Sequence, residues 1–188
     1  MFMRRMKFAL PCILLLACTA YAQMDKMEHK SVSQILDHSL KGAEGEFVGA
    51  ADAMPEDKYS FAPTNGEFKG VRNYGQQVKH VAAVNYIIGA VILGEKPPVD
   101  VGGESGPDSV KTKAEIMKYL KDSFAYAHKA LESINEKNLT GSIKNPFGEG
   151  EATPLGMATI LIAHPFDHYG QMVEYLRMNG IVPPASRR

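Results

Sequence analysis

The chain has 188 residues, 45% of them hydrophobic and 22% charged, with 21 Lys+Arg balanced by 21 Asp+Glu. That length suits one domain with its own core, and the even charge balance supplies no basic field for gripping a phosphate backbone, which argues against nucleic acid as a partner. The 17 Gly and 11 Pro are scattered rather than repeated, so collagen-like and low-complexity classes fall away as well.

The first 22 residues read as an export signal. Arg4, Arg5 and Lys7 precede the apolar run from Phe8 to Ala17, which is too short to span a bilayer, and Ala20-Tyr21-Ala22 offers the small residues of a cleavage site. Cleavage after Ala22 leaves residues 23–188 as the mature domain, mildly acidic and exported to the periplasm or the medium. Both cysteines, Cys12 and Cys18, fall in the removed segment, so neither a disulfide framework nor a thiolate site is expected. Leu15-Leu16-Ala17-Cys18 resembles a bacterial lipobox, and a lipoprotein tethered to a membrane through Cys18 is the alternative.

Four segments with helical periodicity follow, separated by stretches rich in Pro, Gly and Asn. From about Met27 to Ala53, Val32, Leu36, Leu40, Ala43, Phe47 and Ala50 recur at spacings of four and three and form one apolar stripe. Pro55, Pro63, Asn65 and Gly66 interrupt it, and the second element starts near Val71 or Arg72 and runs to about Leu93, with Gln77, His80, Val84, Ile87 and Val91 on one face. After a turn-rich loop, Thr112-Lys113-Ala114-Glu115 has the spacing of a capping box and opens a third helix carrying Ile116, Leu120, Phe124, Ala127, Leu131 and Ile134. Thr153-Pro154 opens the fourth, which should end at Asn179-Gly180. No strand alternation and no internal repeat is evident. The expected fold is all-α, a four-helix bundle.

His164 and His168 stand four residues apart on the fourth helix, one turn up the same face, and can aim two ring nitrogens at one point. His80, an imidazole inside an apolar stripe, would close the set from the second helix. Three neutral imidazoles leave coordination positions open, as at a catalytic or ligand-binding metal site. The pattern is not that of the zincins, because Pro165 stands where that motif has Glu. Imidazole donors suit Zn, Ni, Fe and Cu; a divalent transition metal is expected, Zn or Ni ahead of Fe or Cu.

The stretch from Asn73 to Tyr86, Asn73-Tyr74-Gly75-Gln76-Gln77-Val78-Lys79-His80-Val81-Ala82-Ala83-Val84-Asn85-Tyr86, resembles the second-helix signature of the DinB/YfiT-like superfamily of metal-dependent proteins. His168-Tyr169-Gly170-Gln171, Tyr175-Leu176-Arg177 and Gly180-Ile181-Val182-Pro183-Pro184 resemble its last helix and tail. The resemblance covers most of the mature chain. It implies a four-helix bundle, often a homodimer, holding a divalent metal through one His of the second helix and two of the fourth, which match His80, His164 and His168. Pro165 departs from the family pattern. It removes an N–H and crowds the Leu161 carbonyl, which predicts a kink that re-aims His164, or a fourth helix broken in two there.

Other polar residues have two readings each. Asp167 orients a ligand imidazole or is a solvated surface carboxylate; Asn85, Tyr169 and Gln171 line a pocket or satisfy helix packing. His38 and His128 lie off the apolar stripes and should face solvent.

Relatives implied by the resemblance include S-transferases and isomerases that use low-molecular-weight thiols. Such thiols are mainly cytosolic, so for an exported chain metal-assisted hydrolysis of a small molecule stands beside thiol S-transfer as the expected chemistry. Two alternatives are a non-catalytic metal-binding or stress-response protein, and a bundle whose histidines only fill space and hydrogen-bond.

Overall fold

Four helices carry the apolar stripes: α1 (Val32–Ala53), α2 (Tyr74–Leu93), α3 (Lys113–Glu132) and α4 (Pro154–Met178). They are seen in a computed structural model that describes residues 29–187. The export signal over residues 1–22, its cleavage after Ala22 and the lipidation of Cys18 lie outside the described residues. From Ser31 onward the chain forms one unit, and no helix among the described residues is long and apolar enough to cross a membrane.

Each helix starts where a side chain takes over an orphan backbone N–H. The Thr112–Glu115 capping box is present as expected, with the Glu115 carboxylate accepting from the Thr112 N–H at 2.9 Å. Two further capping boxes are present. Ser31 pairs with Gln34 and Asn73 with Gln76; they start α1 and α2 later than the stripes alone suggest. Thr153 caps α4 with Pro154 at its first position.

Three side chains close the other end of α1. Its last carbonyls have no helical partner; the Tyr74 hydroxyl donates to Ala50 O at 2.6 Å, the Tyr59 hydroxyl to Ala51 O at 2.8 Å, and Lys113 Nζ to Asp52 O at 2.6 Å. These bonds fix α1 against the starts of α2 and α3.

The bundle is not a simple up-and-down array. Lys113 meets Asp52 and His128 meets Asp37, so α3 runs antiparallel to α1. Gly75 lies against Ile116, Asn85 bonds Ser123, and Gly89 lies against Tyr126, so α2 and α3 are parallel neighbours. A Cβ at Gly89 would stand 2.8 Å from the Tyr126 ring, so this close crossing needs glycine. Gln77 meets Gln171 and Tyr175 reaches the Arg72 carbonyl, so α4 is antiparallel to α2. α1 packs mainly on α3 and α4, and α2 on the same two helices.

Parallel neighbours cannot be joined by a tight turn. A 20-residue helix is about 30 Å long, and the connector between α2 and α3 has to travel back along it. This crossover passes beside α2 at Gly106, whose φ of 74° and whose missing Cβ, which would meet Lys79 Cβ at 2.9 Å, let the backbone approach closely.

The core follows the stripes. Leu40, Phe47, Leu120, Phe124, Leu131, Leu161 and Leu176 are fully buried. α2 is enclosed almost all round, although Ile87 and Val91 of its expected stripe are only half-buried. Two features differ from expectation. A short antiparallel pairing joins Ile143–Lys144 to Glu151–Ala152 ahead of α4; strands of two residues are too short to show alternation. The fourth helix is not broken at Pro165, but runs without interruption from Pro154 to Met178.

Removing the Tyr74 hydroxyl leaves the Ala50 carbonyl short of a donor in a fully buried setting. Tyr74→Phe is expected to lower the unfolding free energy by about 1–3 kcal/mol, seen as a lower urea midpoint at unchanged slope. A variant as stable as the parent would show that this bond contributes nothing to holding α1.

Candidate metal centre

His80 stands two turns into α2, and His164 and His168 occupy successive turns of the antiparallel α4. The structure brings all three rings together. His164 Nε2 is 3.1 Å from His80 Nε2 and 3.1 Å from His168 Nε2, and the three ligand atoms lie within 4.8 Å of one another. Two nitrogens bound to one ion at about 2.0–2.1 Å, with angles of roughly 90–110°, stand about 2.8–3.4 Å apart. The observed spacing is that of donors around a shared cation.

The remaining ring nitrogens decide where the protons sit. His80 Nδ1 faces the Glu104 carbonyl at 2.5 Å; a carbonyl only accepts, so the proton is on Nδ1 and Nε2 presents a lone pair. His168 Nδ1 donates to Gln77 Oε1 at 2.6 Å, which leaves its Nε2 bare too. Gln77 Nε2 donates to Gln171 Oε1 at 2.9 Å, and Gln171 Nε2 reaches Asp167 Oδ2 at 3.5 Å. The chain of donors runs one way and ends on a carboxylate that cannot donate, which fixes both amide orientations.

His164 is left with one proton for two contacts. On Nε2 it serves one neighbour and leaves the other neighbour's lone pair without a donor; on Nδ1 it leaves both contacts with opposed lone pairs. In either case His164 Nδ1 is buried without a partner. An imidazolium does not resolve this. Burial first, then the neighbouring rings and the Arg72 charge, push His164 down to about 3; burial, His80 and Arg72 push His168 down to about 4; burial lowers His80 against the opposing pull of the Glu104 carbonyl. The rings stay neutral, and three such converging nitrogens could hold a metal cation.

The polar residues with two readings now separate. Asp167 is exposed and orients His168 only through Gln171 and Gln77. Gln171 lines a cavity of about 500 Å³ together with Arg72, Gln76, Lys79 and Gln77, the residue it shares with the centre. Asn85 belongs to helix packing, donating to Ser123 Oγ at 3.2 Å. Tyr169 is half-buried, and burial followed by the Glu46 carboxylate pushes its phenol up to about 12. His38 is exposed as expected. His128 is not: it is half-buried, with Nδ1 2.6 Å from Asp37 and Nε2 3.1 Å from Glu44, bridging α1 and α3 through two carboxylates.

Sequence reasoning missed Glu104, whose contribution is a backbone carbonyl and leaves no residue signal. It missed the role of Gln77 despite a visible sign: Gln77 precedes His80 by three residues and Gln171 follows His168 by three, so each amide lies one turn from an imidazole.

The fold and site define a four-helix bundle carrying a three-histidine group that can hold a metal ion. Residues 39–172 match the DinB superfamily, and the chain belongs to it. A DinB-like protein from Bacillus subtilis superposes with a TM-score of 0.60 at 19% identity, over 81% of this chain and 98% of that one. A DinB-like protein from Bacillus cereus gives 0.60 at 17%, over 79% and 93%, and a conserved protein from Enterococcus faecalis 0.63 at 17%, over 80% and 98%. These likenesses show the fold. Among curated proteins none matches.

Two outcomes are expected. Gln77→Leu keeps the shape but removes the acceptor of His168 Nδ1, and should weaken metal affinity about 10–100-fold with unchanged circular dichroism; equal affinity would show that the bond does not orient the ring. In metal-free protein the folded imidazoles stay neutral while unfolded ones protonate near 6.5. The unfolded state therefore binds more protons below that pH, and stability falls as pH drops from 6.5 toward 4, by up to about 1.4 kcal/mol per pH unit for each extra proton. The fall in melting temperature between pH 7 and pH 5 should be shallower in His164→Gln.

Proposed function

We propose that this chain is an exported metal-dependent enzyme that binds a divalent transition metal, Zn or Ni, through His80, His164 and His168 and acts on a small molecule. The observation that carries the reading is the convergence of three imidazole Nε2 atoms, with one proton at His164 for two contacts. A metal held by three neutral imidazoles supplies Lewis acidity with coordination positions left for water, a thiol or a substrate.

The chain's own contribution is holding and orienting. Glu104 and Gln77 lock two imidazoles in the ligating tautomer, and the low proton affinity of the cluster keeps all three rings free at neutral and mildly acidic pH. No cysteine occurs among the described residues and the imidazole group includes no carboxylate, so the reading takes water or an added small thiol as the nucleophile. Hydrolysis needs only water. Thiol S-transfer needs a small thiol, which an exported protein meets less often, and hydrolysis is therefore the first reaction to test.

Protein purified without added metal is expected to carry one Zn or Ni per chain by elemental analysis, and His80→Gln and His168→Gln to carry little. Assayed on ester, amide and phosphoester substrates and on thiol acceptors, the loaded protein should turn over at least one and lose that activity on chelation. Tight metal binding with no turnover would favour a non-catalytic metal-binding role; background metal in the parent protein, with no rise in melting temperature on adding metal, would overturn the reading.

A further inference from the structure

The cavity that shares Gln77 with the metal centre, and that none of the three imidazoles lines, has a charged wall that the centre does not use. Arg72 lies immediately before the Asn73 cap of α2, with its backbone carbonyl held by the Tyr175 hydroxyl at 3.1 Å. Its side chain is half-buried and lines the cavity. Among the described residues the guanidinium forms no ion pair and donates no side-chain hydrogen bond, whereas the other arginine of the helical region, Arg177, pairs with Glu174 at 3.2 Å. The rest of the wall is rich in donors. Gln76, Gln77, Gln171 and Ser105 contribute to it, and the half-buried Lys79 donates to Pro107 O at 2.7 Å. Asp108, exposed at the rim, is its one carboxylate.

An unpaired cation here works against the neighbouring centre. The Arg72 charge reaches all three imidazoles and disfavours positive charge on each, and by the same Coulomb interaction it opposes loading of a dication. An anion seated in the cavity would pair with the guanidinium and relieve the repulsion. Guanidinium presents a planar fork of N–H donors that fits carboxylate and phosphoryl oxygens alike. The cavity volume of about 500 Å³ suits a small organic molecule rather than a bare ion.

We propose that this cavity, which shares Gln77 with the three-histidine centre, is an oxyanion subsite in which Arg72 binds the carboxylate or phosphoryl group of the protein's small-molecule substrate. The inference rests on the proposed metal-dependent function for the word substrate, but the subsite itself can be tested without it. Arg72 is a specificity residue in this arrangement. Gln76 and Gln171 offer neutral donors, and Gln77 joins the cavity wall to the ligand imidazole of His168.

The test is calorimetric titration of metal-loaded and metal-stripped protein with inorganic phosphate and, separately, with succinate. The parent should bind at least one of the two in both forms, more tightly when loaded, and a preference between them names the group the subsite takes. Arg72→Gln should weaken that binding tenfold or more with metal content unchanged, Arg72→Lys should retain part of it, and Arg177→Gln, which removes an exposed charge elsewhere, should have no effect. Equal affinity in parent and Arg72→Gln, or no binding of either anion by the parent, would overturn the subsite. Loss of metal from the parent with Arg72-dependent anion binding preserved would sink the metal reading and leave the subsite standing.

Discussion

Three imidazole nitrogens brought to one point, with one proton at His164 for two contacts, are the constraint on which the site depends. Lone pairs opposed at 3.1 Å repel, and burial prevents the rings from relieving this by charging. The bundle topology supplies what keeps the rings in place. Because α2 and α3 run parallel, their connector has to return along α2, and that return lays the Glu104 carbonyl against His80. Because α4 runs antiparallel to α2, Gln171 falls beside Gln77 one turn before Gln77 meets His168. A bundle with only short hairpin connections would place no loop backbone beside His80, and that imidazole would need a side-chain partner instead.

Much of this was legible in the residues, and the parts that were not share a physical reason. The stripes of α1 and α3 predict their buried residues well because those helices are covered on one side only, and Leu40, Phe47, Phe124 and Leu131 sit where the periodicity puts them. For α2 the same argument is weaker: the helix is enclosed on nearly every side, so one stripe cannot describe what it buries. The spacing of His164 and His168 gave their shared direction, and an imidazole on an inward stripe gave His80. Tautomers were out of reach, because Glu104 acts through a backbone carbonyl from a loop whose path is set by helix direction. His128 shows the converse. Lying off the stripe of α3 it reads as solvent-facing, yet a seam between two helices also lies off the stripe, and there Asp37 and Glu44 enclose it.

Pro165 is the sharpest conflict between local preference and observed structure. A proline inside a helix forfeits one ladder bond and crowds the carbonyl four residues back, at a cost of about 3 kcal/mol. The helix continues because its remaining turns are held from both sides: Leu161, Met172 and Leu176 are fully buried and Pro165 itself is buried. Tertiary packing of that extent outweighs the loss of one hydrogen bond. The kink expected to displace His164 does not separate it from its partners, since its Nε2 stands at the same 3.1 Å from both.

The donor set also constrains what binds next to it. Carboxylate or thiolate ligands would offset part of a dication's charge, but three neutral imidazoles offset none, and Arg72 adds a further positive charge within reach of all three rings. A partly buried site with that sum of charges is costly to load unless an anion comes with the metal. The charge imbalance that leaves Arg72 unpaired and the lone-pair imbalance that leaves His164 unsatisfied are therefore complementary. A cation would resolve the second and worsen the first, and an anion held by the guanidinium would resolve the first.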